Sequence, residues 1–206
     1  MGSIEVICGS MFSGKTEELI KRIQELHNTN LNYKVFKPEI DKRSGDNKIQ
    51  SHSKKSIDAI NIKDVSEIIN QANNCDVIAI DEAQFFSEDI VEVCNNLANK
   101  GIRIIIAGLD MDYLGKPFGP MPKLMAIAED VLKVHAICTE TGKPANYSFR
   151  KSNNNDTVML GEKNEYEPLS REAFVSKMKN KKNWVCLLYT YDAAYERLSV
   201  ELGGRR

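Results

Sequence analysis

Near the N-terminus, Gly9-Ser10-Met11-Phe12-Ser13-Gly14-Lys15-Thr16 matches the phosphate-cradle pattern G-x-x-x-x-G-K-[ST] at every fixed position. Gly9 and Gly14 allow turns that a Cβ forbids and bring backbone N–H groups close to phosphate oxygens. Lys15 brings a positive charge to the β- and γ-phosphates, and the Thr16 hydroxyl is suited to Mg²⁺. Upstream, Ile4 to Cys8 is a short β-branched run fit for a buried parallel strand. Downstream, Leu19, Ile20, Ile23 and Leu26 recur at helical spacing. A strand, a glycine loop and a helix N-terminus in that order place the helix dipole and its unpaired N–H groups toward an anion. A plain glycine turn between two core elements is the competing reading; pattern and context together favour a nucleoside triphosphate site.

The same alternation continues. Tyr33 to Lys37 reads as a second strand closed by Pro38, and polar residues 39–56 read as a loop. Residues 64–72 suit a short helix, and Asp76 to Asp81 a buried strand ending in an acid. Ser87 is expected to cap a helix whose apolar face is Ile90, Val91, Cys94, Leu97 and Ala98, with Gly101 at its end. Residues 102–107 form another apolar strand leading to Gly108, and a helix is expected over 122–131. This rhythm predicts an α/β fold with a mainly parallel sheet and helices on both faces. It stops near residue 136. Residues 1–136 are therefore read as a nucleotide-binding domain and 137–178, with mixed segments and frequent turn-formers, as a small second lobe. Residues 179–206 form a tail, either a terminal helix around Trp184 to Tyr195 or sequence foreign to the native chain.

With 206 residues there is room for one full domain and a small appendage. A formal charge of −1 gives no pull toward nucleic acid or anionic membrane. No apolar run is long enough to span a bilayer and no leader layout opens the chain, so a cytoplasmic protein is expected. The five cysteines (Cys8, Cys75, Cys94, Cys138 and Cys186) form no C-x-x-C pair, which argues against both a disulfide framework and a four-thiolate zinc site. His27, His52 and His135 lack ligand spacing and read as structural or surface residues.

Asp81-Glu82-Ala83-Gln84 directly follows an apolar strand. In phosphate-loop proteins an acid at such a strand end helps hold Mg²⁺, here Asp81 together with Thr16. Glu82 points elsewhere by strand alternation and is the candidate proton acceptor for an attacking hydroxyl. The tetrapeptide also matches a helicase motif, but this chain leaves room for only one nucleotide-binding lobe and carries no later helicase strings. No Asn-Lys-x-Asp string supports a GTPase.

Taken together, the motifs resemble the cellular, phosphate-loop (type II) thymidine kinase family from about residue 3 to about residue 175. The likeness runs through Met11 to Thr16, Lys37-Pro38 with Asp41 and Arg43, and Asp81 to Phe86. It continues through Gly108-Leu109-Asp110, Lys116-Pro117-Phe118, Ala128-Glu129, Lys133 and Ala136 to Cys138. Ala145 to Arg150, Gly161, Tyr166 and Arg171 complete it. The resemblance implies a P-loop (RecA-like) fold and ATP-dependent phosphorylation of thymidine, or deoxyuridine, at the 5′-hydroxyl, a step of deoxynucleoside salvage. It makes Glu82 the general base, gives Mg²⁺ to Thr16 and Asp81, and puts Asp41, Arg43 and Gln84 with the nucleotide. Met11, Leu109, Tyr113 (where the family more often has phenylalanine), Phe118 and Ser148 would line the nucleoside pocket. A loop at Thr157-Val158-Met159-Leu160-Gly161, closed by Tyr166, would wrap the thymine through its backbone. A homotetramer and feedback binding of dTTP are implied likewise.

One departure stands out. The family holds its small lobe with a structural zinc on two C-x-x-C pairs, which here read Cys138-Thr139-Glu140-Thr141 and Ser170-Arg171-Glu172-Ala173. Only Cys138 remains of the four ligand positions, so no zinc is expected. A nucleotide-binding protein of the same fold that has lost kinase activity is the rival reading, opposed by the intact Lys15, Thr16, Asp81 and Glu82. A kinase with shifted nucleoside preference, through Tyr113 and Ser148, is another.

Overall fold

In the computed structural model, which describes residues 2–27, 29–41, 47–51, 55–152 and 165–181, the elements follow in this order. They are β1 (Ser3–Gly9), α1 (Lys15–Leu26), β2 (Tyr33–Pro38), β3 (Lys48–Gln50), β4 (Ser56–Asp58), β5 (Ile60–Ile62), α2 (Ser66–Gln71), β6 (Val77–Ile80), α3 (Ile90–Asn99) and β7 (Arg103–Gly108). Then come α4 (Met121–Ile127), β8 (Asp130–Val134), β9 (Ala136–Ile137), β10 (Pro144–Ala145), β11 (Tyr147–Arg150) and β12 (Tyr166–Leu169). A final helix, α5, covers 171–181.

Six strands form one sheet in the order β5-β2-β6-β7-β1-β8, and every pairing in it is parallel. Strand side chains alternate faces, and the central strands are apolar on both. Ile4, Val6 and Cys8 of β1 join Ile78, Ile80, Ile104 and Ile106 on the side covered by α2, α3 and α4. Ile7 joins Val35, Val77, Ala79, Ile105 and Ala107 on the side covered by Leu19, Ile20, Ile23 and Leu26 of α1. Each such fully buried aliphatic side chain stabilises the fold by about 1.5–3 kcal/mol. Because β1, β6 and β7 run in parallel, their C-terminal ends share one edge, where the loops at 9–14, 81–86 and 109–118 meet. Ligands in open α/β sheets bind at such an edge.

Three local expectations are corrected. Polar stretch 39–56 is not all loop: β3 and β4 pair as an antiparallel ribbon, and Ile49 is buried against the α1 side of the core. The expected helix over 122–131 stops at Ile127. Ala128 is extended (φ −76°, ψ 141°), and Asp130–Val134 becomes edge strand β8, paired with β1. Ser87 does not cap α3; its hydroxyl donates to the Asp89 carboxylate at 3.1 Å, and no side chain caps the helix. Gly101 does end that helix region with a left-handed φ of +97°.

Beyond residue 135 the chain builds a separate apolar cluster. Tyr147, Phe149, Leu169 and Phe174 are its large members, and Phe12 and Met111 pack against it. The Tyr147 and Phe174 rings stack with centroids 4.4 Å apart, and Phe149 meets Phe174 edge-on at 6.3 Å. Among the described residues no helix is long and apolar enough to cross a membrane.

Candidate active site

The glycine loop takes its shape from local sterics. A Cβ on Gly9 would lie 2.1 Å from the Val134 carbonyl oxygen, so only glycine fits where the loop leaves β1 beside β8. Gly14 has open space around it but a φ of +88°, a conformation costly for residues with a Cβ. Phe12 is itself left-handed (φ 64°), and its side chain joins the small apolar cluster. Inside the loop, Ser13 Oγ donates to the Ser10 carbonyl at 2.7 Å, and buried Lys15 donates from Nζ to the same oxygen at 2.8 Å. The lysine ammonium is thereby held over the loop at the start of α1.

Across the edge, Thr16 Oγ1 donates to Asp81 Oδ2 at 3.1 Å, which joins the first turn of α1 to the residue after β6. Asp81 Oδ1 accepts from the Glu82 N–H at 3.0 Å. Glu82 then turns left-handed (φ 52°), and a short 3-10 turn, Ala83–Phe85, follows. Strand alternation alone thus does not describe the divergence of Asp81 and Glu82; the backbone reverses between them. Glu82 is 9% exposed and accepts from Gln84 Nε2 at 2.5 Å, while Gln84 Oε1 accepts from the Leu109 N–H at 2.9 Å.

The small cluster reaches this edge directly. Met11 N–H donates to Ser148 Oγ at 2.9 Å, and Ser10 Oγ donates to the Ala145 carbonyl at 3.1 Å. Phe118 meets Phe85 edge-on at 5.8 Å, and its N–H donates to the Asp110 carbonyl at 3.1 Å. Arg150, 2% exposed, lies with its guanidinium carbon 3.8 Å from the Tyr113 ring centroid and donates to the Tyr166 hydroxyl at 2.7 and 2.9 Å. Burial raises the Tyr166 phenol above its usual range despite that cation.

Of the sequence-derived site residues, the structure gathers Ser10, Lys15, Thr16, Asp81, Glu82, Gln84 and Leu109 along one hydrogen-bonded edge. Met11 is tied there through Ser148, and Tyr113 is joined to Tyr166 through Arg150. Asp41 is buried just past β2, its N–H donating to the Pro38 carbonyl at 3.0 Å. Arg43 and Thr157 to Gly161 lie outside the described residues. Two elements escaped the sequence reading as site residues. One is Arg150 itself; an arginine ending a short strand looks like any surface cation. The other is the pair of buried Asp110 with Lys133 at 2.7 Å, which raises the Lys133 ammonium.

The four positions of the family's zinc knuckle also converge. The Thr141 and Ser170 hydroxyl oxygens lie 3.4 Å apart, the Ala173 N–H points at Ser170 Oγ at 3.4 Å, and Cys138 is buried beside them. Burial would raise the Cys138 thiol. Hydrogen bonds from the Thr141 hydroxyl and from the N–H groups of Ser170, Thr141 and Glu140 outweigh it and bring it down to about 6. One thiolate, two hydroxyls and a methyl are not a zinc donor set. The Thr16 hydroxyl and Asp81 carboxylate, by contrast, are the hard oxygen donors that Mg²⁺ takes beside phosphates.

Comparison with known proteins shows the family to which the chain belongs. A family profile described as thymidine kinase matches residues 2–174. The thymidine kinase of Bacteroides thetaiotaomicron is 52% identical over 174 residues, covering 84% of this chain and 87% of that protein. That of Rhodothermus sp. is 47% identical over 174 residues, covering 84% and 82%. Among solved structures, the genome packaging NTPase B204 of Sulfolobus turreted icosahedral virus 2 superposes with a TM-score of 0.41 at 15% identity, over 66% of this chain and 75% of that one.

Proposed function

The chain belongs to the thymidine kinase family, and we infer that it transfers the γ-phosphoryl group of ATP to the 5′-hydroxyl of thymidine, with deoxyuridine as a second acceptor. The observation that carries this reading is the hydrogen-bonded series from Thr16 through Asp81 and Glu82 to Gln84 and Leu109. These residues share one edge of the sheet, which supports reading Gly9 to Thr16 as the triphosphate loop, Asp81 as the metal carboxylate, Glu82 as the proton acceptor and Leu109 as the nucleoside-side backbone.

Phosphoryl transfer asks the protein chiefly for positioning and charge stabilisation. Loop N–H groups between Gly9 and Thr16, together with Lys15, grip the phosphates; Asp41 and Arg43 belong to the same nucleotide side. Thr16 and Asp81 would hold Mg²⁺, which supplies neutralisation of phosphate charge when bound. Glu82 takes the proton of the 5′-hydroxyl as that oxygen attacks. Met11, Leu109, Tyr113, Phe118, Ser148 and Tyr166 form the nucleoside side, and backbone groups of Thr157 to Gly161 read the pyrimidine edge. Closing around the substrate keeps water from taking the phosphoryl group. Residues 1–136 and 137–178 act as nucleotide domain and nucleoside lobe. Feedback binding of dTTP, assembly as a homotetramer and residence in the cytoplasm belong to the same reading and rest on family likeness.

The test is formation of thymidine 5′-phosphate from thymidine and Mg-ATP, with deoxyuridine and deoxycytidine in competition. Folded protein without turnover, or a Glu82→Gln variant that turns over normally, would overturn the reading. An inactive binding protein would titrate thymidine and produce no phosphate.

A further inference from the structure

We propose that Gln84 is the positioning residue for the proton acceptor: its one amide holds the Glu82 carboxylate with one end and the Leu109 backbone with the other. The proposal rests on the reading of Glu82 as that acceptor and of Leu109 as a nucleoside neighbour. The family resemblance implies a nucleotide contact for Gln84. In the fold both ends of its amide are engaged inside the protein, and the residue is 3% exposed.

Amide direction is dictated by chemistry. A backbone N–H can only donate, so the atom 2.9 Å from the Leu109 nitrogen is the amide oxygen. The NH₂ group therefore faces Glu82, a carboxylate that can only accept, at 2.5 Å. A hydrogen bond to an ionised group is stronger than a neutral one, so this contact fixes the glutamate side chain more firmly than packing would. The casing around the amide is tight. A Cβ on Gly108 would stand 2.9 Å from Gln84 Oε1 and 2.5 Å from Met121 Sδ. A Cβ on Gly119 would stand 2.5 Å from the Gln84 carbonyl oxygen. Gly119, with a φ of +48° and the Gln84 backbone this close, has no room for a side chain, and at Gly108 a Cβ would have to push the Met121 and Gln84 side chains aside.

The consequence is shared placement. Glu82 follows β6 in a left-handed conformation, and Leu109 follows a different strand, β7. One amide sets the distance between the proton acceptor and the backbone bordering the nucleoside. Misplacing a reacting group by about 1 Å costs roughly 100-fold in rate.

Gln84→Met keeps length and apolar bulk and removes both hydrogen bonds. Gln84→Glu keeps the acceptor for Leu109 and removes the donor to Glu82. Both are expected to lower kcat with thymidine by about 10- to 100-fold. KM for ATP should stay within roughly two-fold, because no nucleotide contact is removed. In a Glu82→Gln background, Gln84→Met should cost less than about two-fold further, since residues acting as one unit are non-additive. A raised KM for ATP at unchanged kcat would overturn the proposal in favour of a nucleotide contact. So would an equal further loss in the Glu82→Gln background. If Gln84→Met does not fold, Gln84→Glu alone decides by the same split, and wild-type kcat in that variant overturns the proposal. A Glu82→Gln variant with wild-type turnover would instead sink the underlying acceptor reading, a distinct result.

Discussion

Arg150 stands over the face of Tyr113 at 3.8 Å and simultaneously donates two hydrogen bonds to the hydroxyl of Tyr166. A buried planar cation thus ties together two aromatic residues that sequence reading assigns to the nucleoside pocket. Lysine cannot reproduce the flat stack and the forked donation at once. Arg150→Lys is expected to raise KM for thymidine by about ten-fold or more, with KM for ATP little changed. Steady-state kinetics with each substrate varied in turn checks this.

The Thr16–Asp81 contact makes a second expectation concrete. Asp81→Asn keeps a hydrogen-bond acceptor for Thr16 and removes the charge that attracts a divalent cation. Its rate should need substantially more Mg²⁺ to saturate, and kcat should fall by about 100-fold or more. Thr16→Val should shift the Mg²⁺ dependence in the same direction by less. A Mg²⁺ titration of initial rate at fixed ATP measures both.

Much of this was legible in the sequence because the chemistry lies in contiguous strings. Gly9 to Thr16 and Asp81 to Gln84 each sit at the end of an apolar strand, and β1, β6 and β7 stand out as short, β-branched apolar runs. Elements that depend on distant partners were not legible. Strand β8 is an alternating edge segment after a helix and gains its identity only by pairing with β1. The β3–β4 ribbon carries too few apolar residues for a period to show, and only Ile49 is fully buried. Arg150 meets Tyr113 and Tyr166, and Gln84 meets the Leu109 N–H, through contacts that no single string of sequence displays. The left-handed turn at Glu82 has no signature in residue type at all, since non-glycine residues seldom adopt it.

Glu5 sits mid-strand between Arg103, at 2.5 Å, and Arg22, at 2.6 Å. Burial would raise its carboxyl, yet the hydrogen bonds and charges of Arg103 and Arg22 hold it below the usual carboxylate range. A carboxyl lowered on folding contributes stability above its unfolded value and loses that contribution as pH falls through its folded value. Urea unfolding is therefore expected to show stability falling below the ordinary glutamate range near pH 4. Glu5→Gln should lose about 2 kcal/mol at pH 7 and flatten that acidic limb.

A second window belongs to Cys138. Its folded thiol is drawn down to about 6, so stability from the thiolate is fully present above the unfolded thiol value and disappears as pH falls through about 6. The chain should gain stability as pH rises from about 6 toward about 8.5, and Cys138→Ala should abolish that rise and leave the Glu5 limb intact.

The knuckle around that cysteine supplies the last expectation. Positions 141, 170 and 173 already gather beside Cys138, held by the Thr141–Ser170 hydroxyl contact and the Ala173 N–H at 3.4 Å each. Hydrogen bonds and the Tyr147–Phe174 stack hold the lobe where a metal would otherwise act. Native protein should therefore bind zinc in much less than one equivalent, and its unfolding temperature should not move with a chelator. Combining Thr141→Cys, Ser170→Cys and Ala173→Cys completes a tetrahedral four-thiolate set at positions the fold already brings together. The triple variant should take up about one zinc per chain and unfold at a higher temperature with metal than with chelator, because binding only the folded form adds directly to stability. Elemental analysis and paired melting curves decide it; a triple variant that folds but takes up no zinc would mean that the four positions are not spaced as a knuckle.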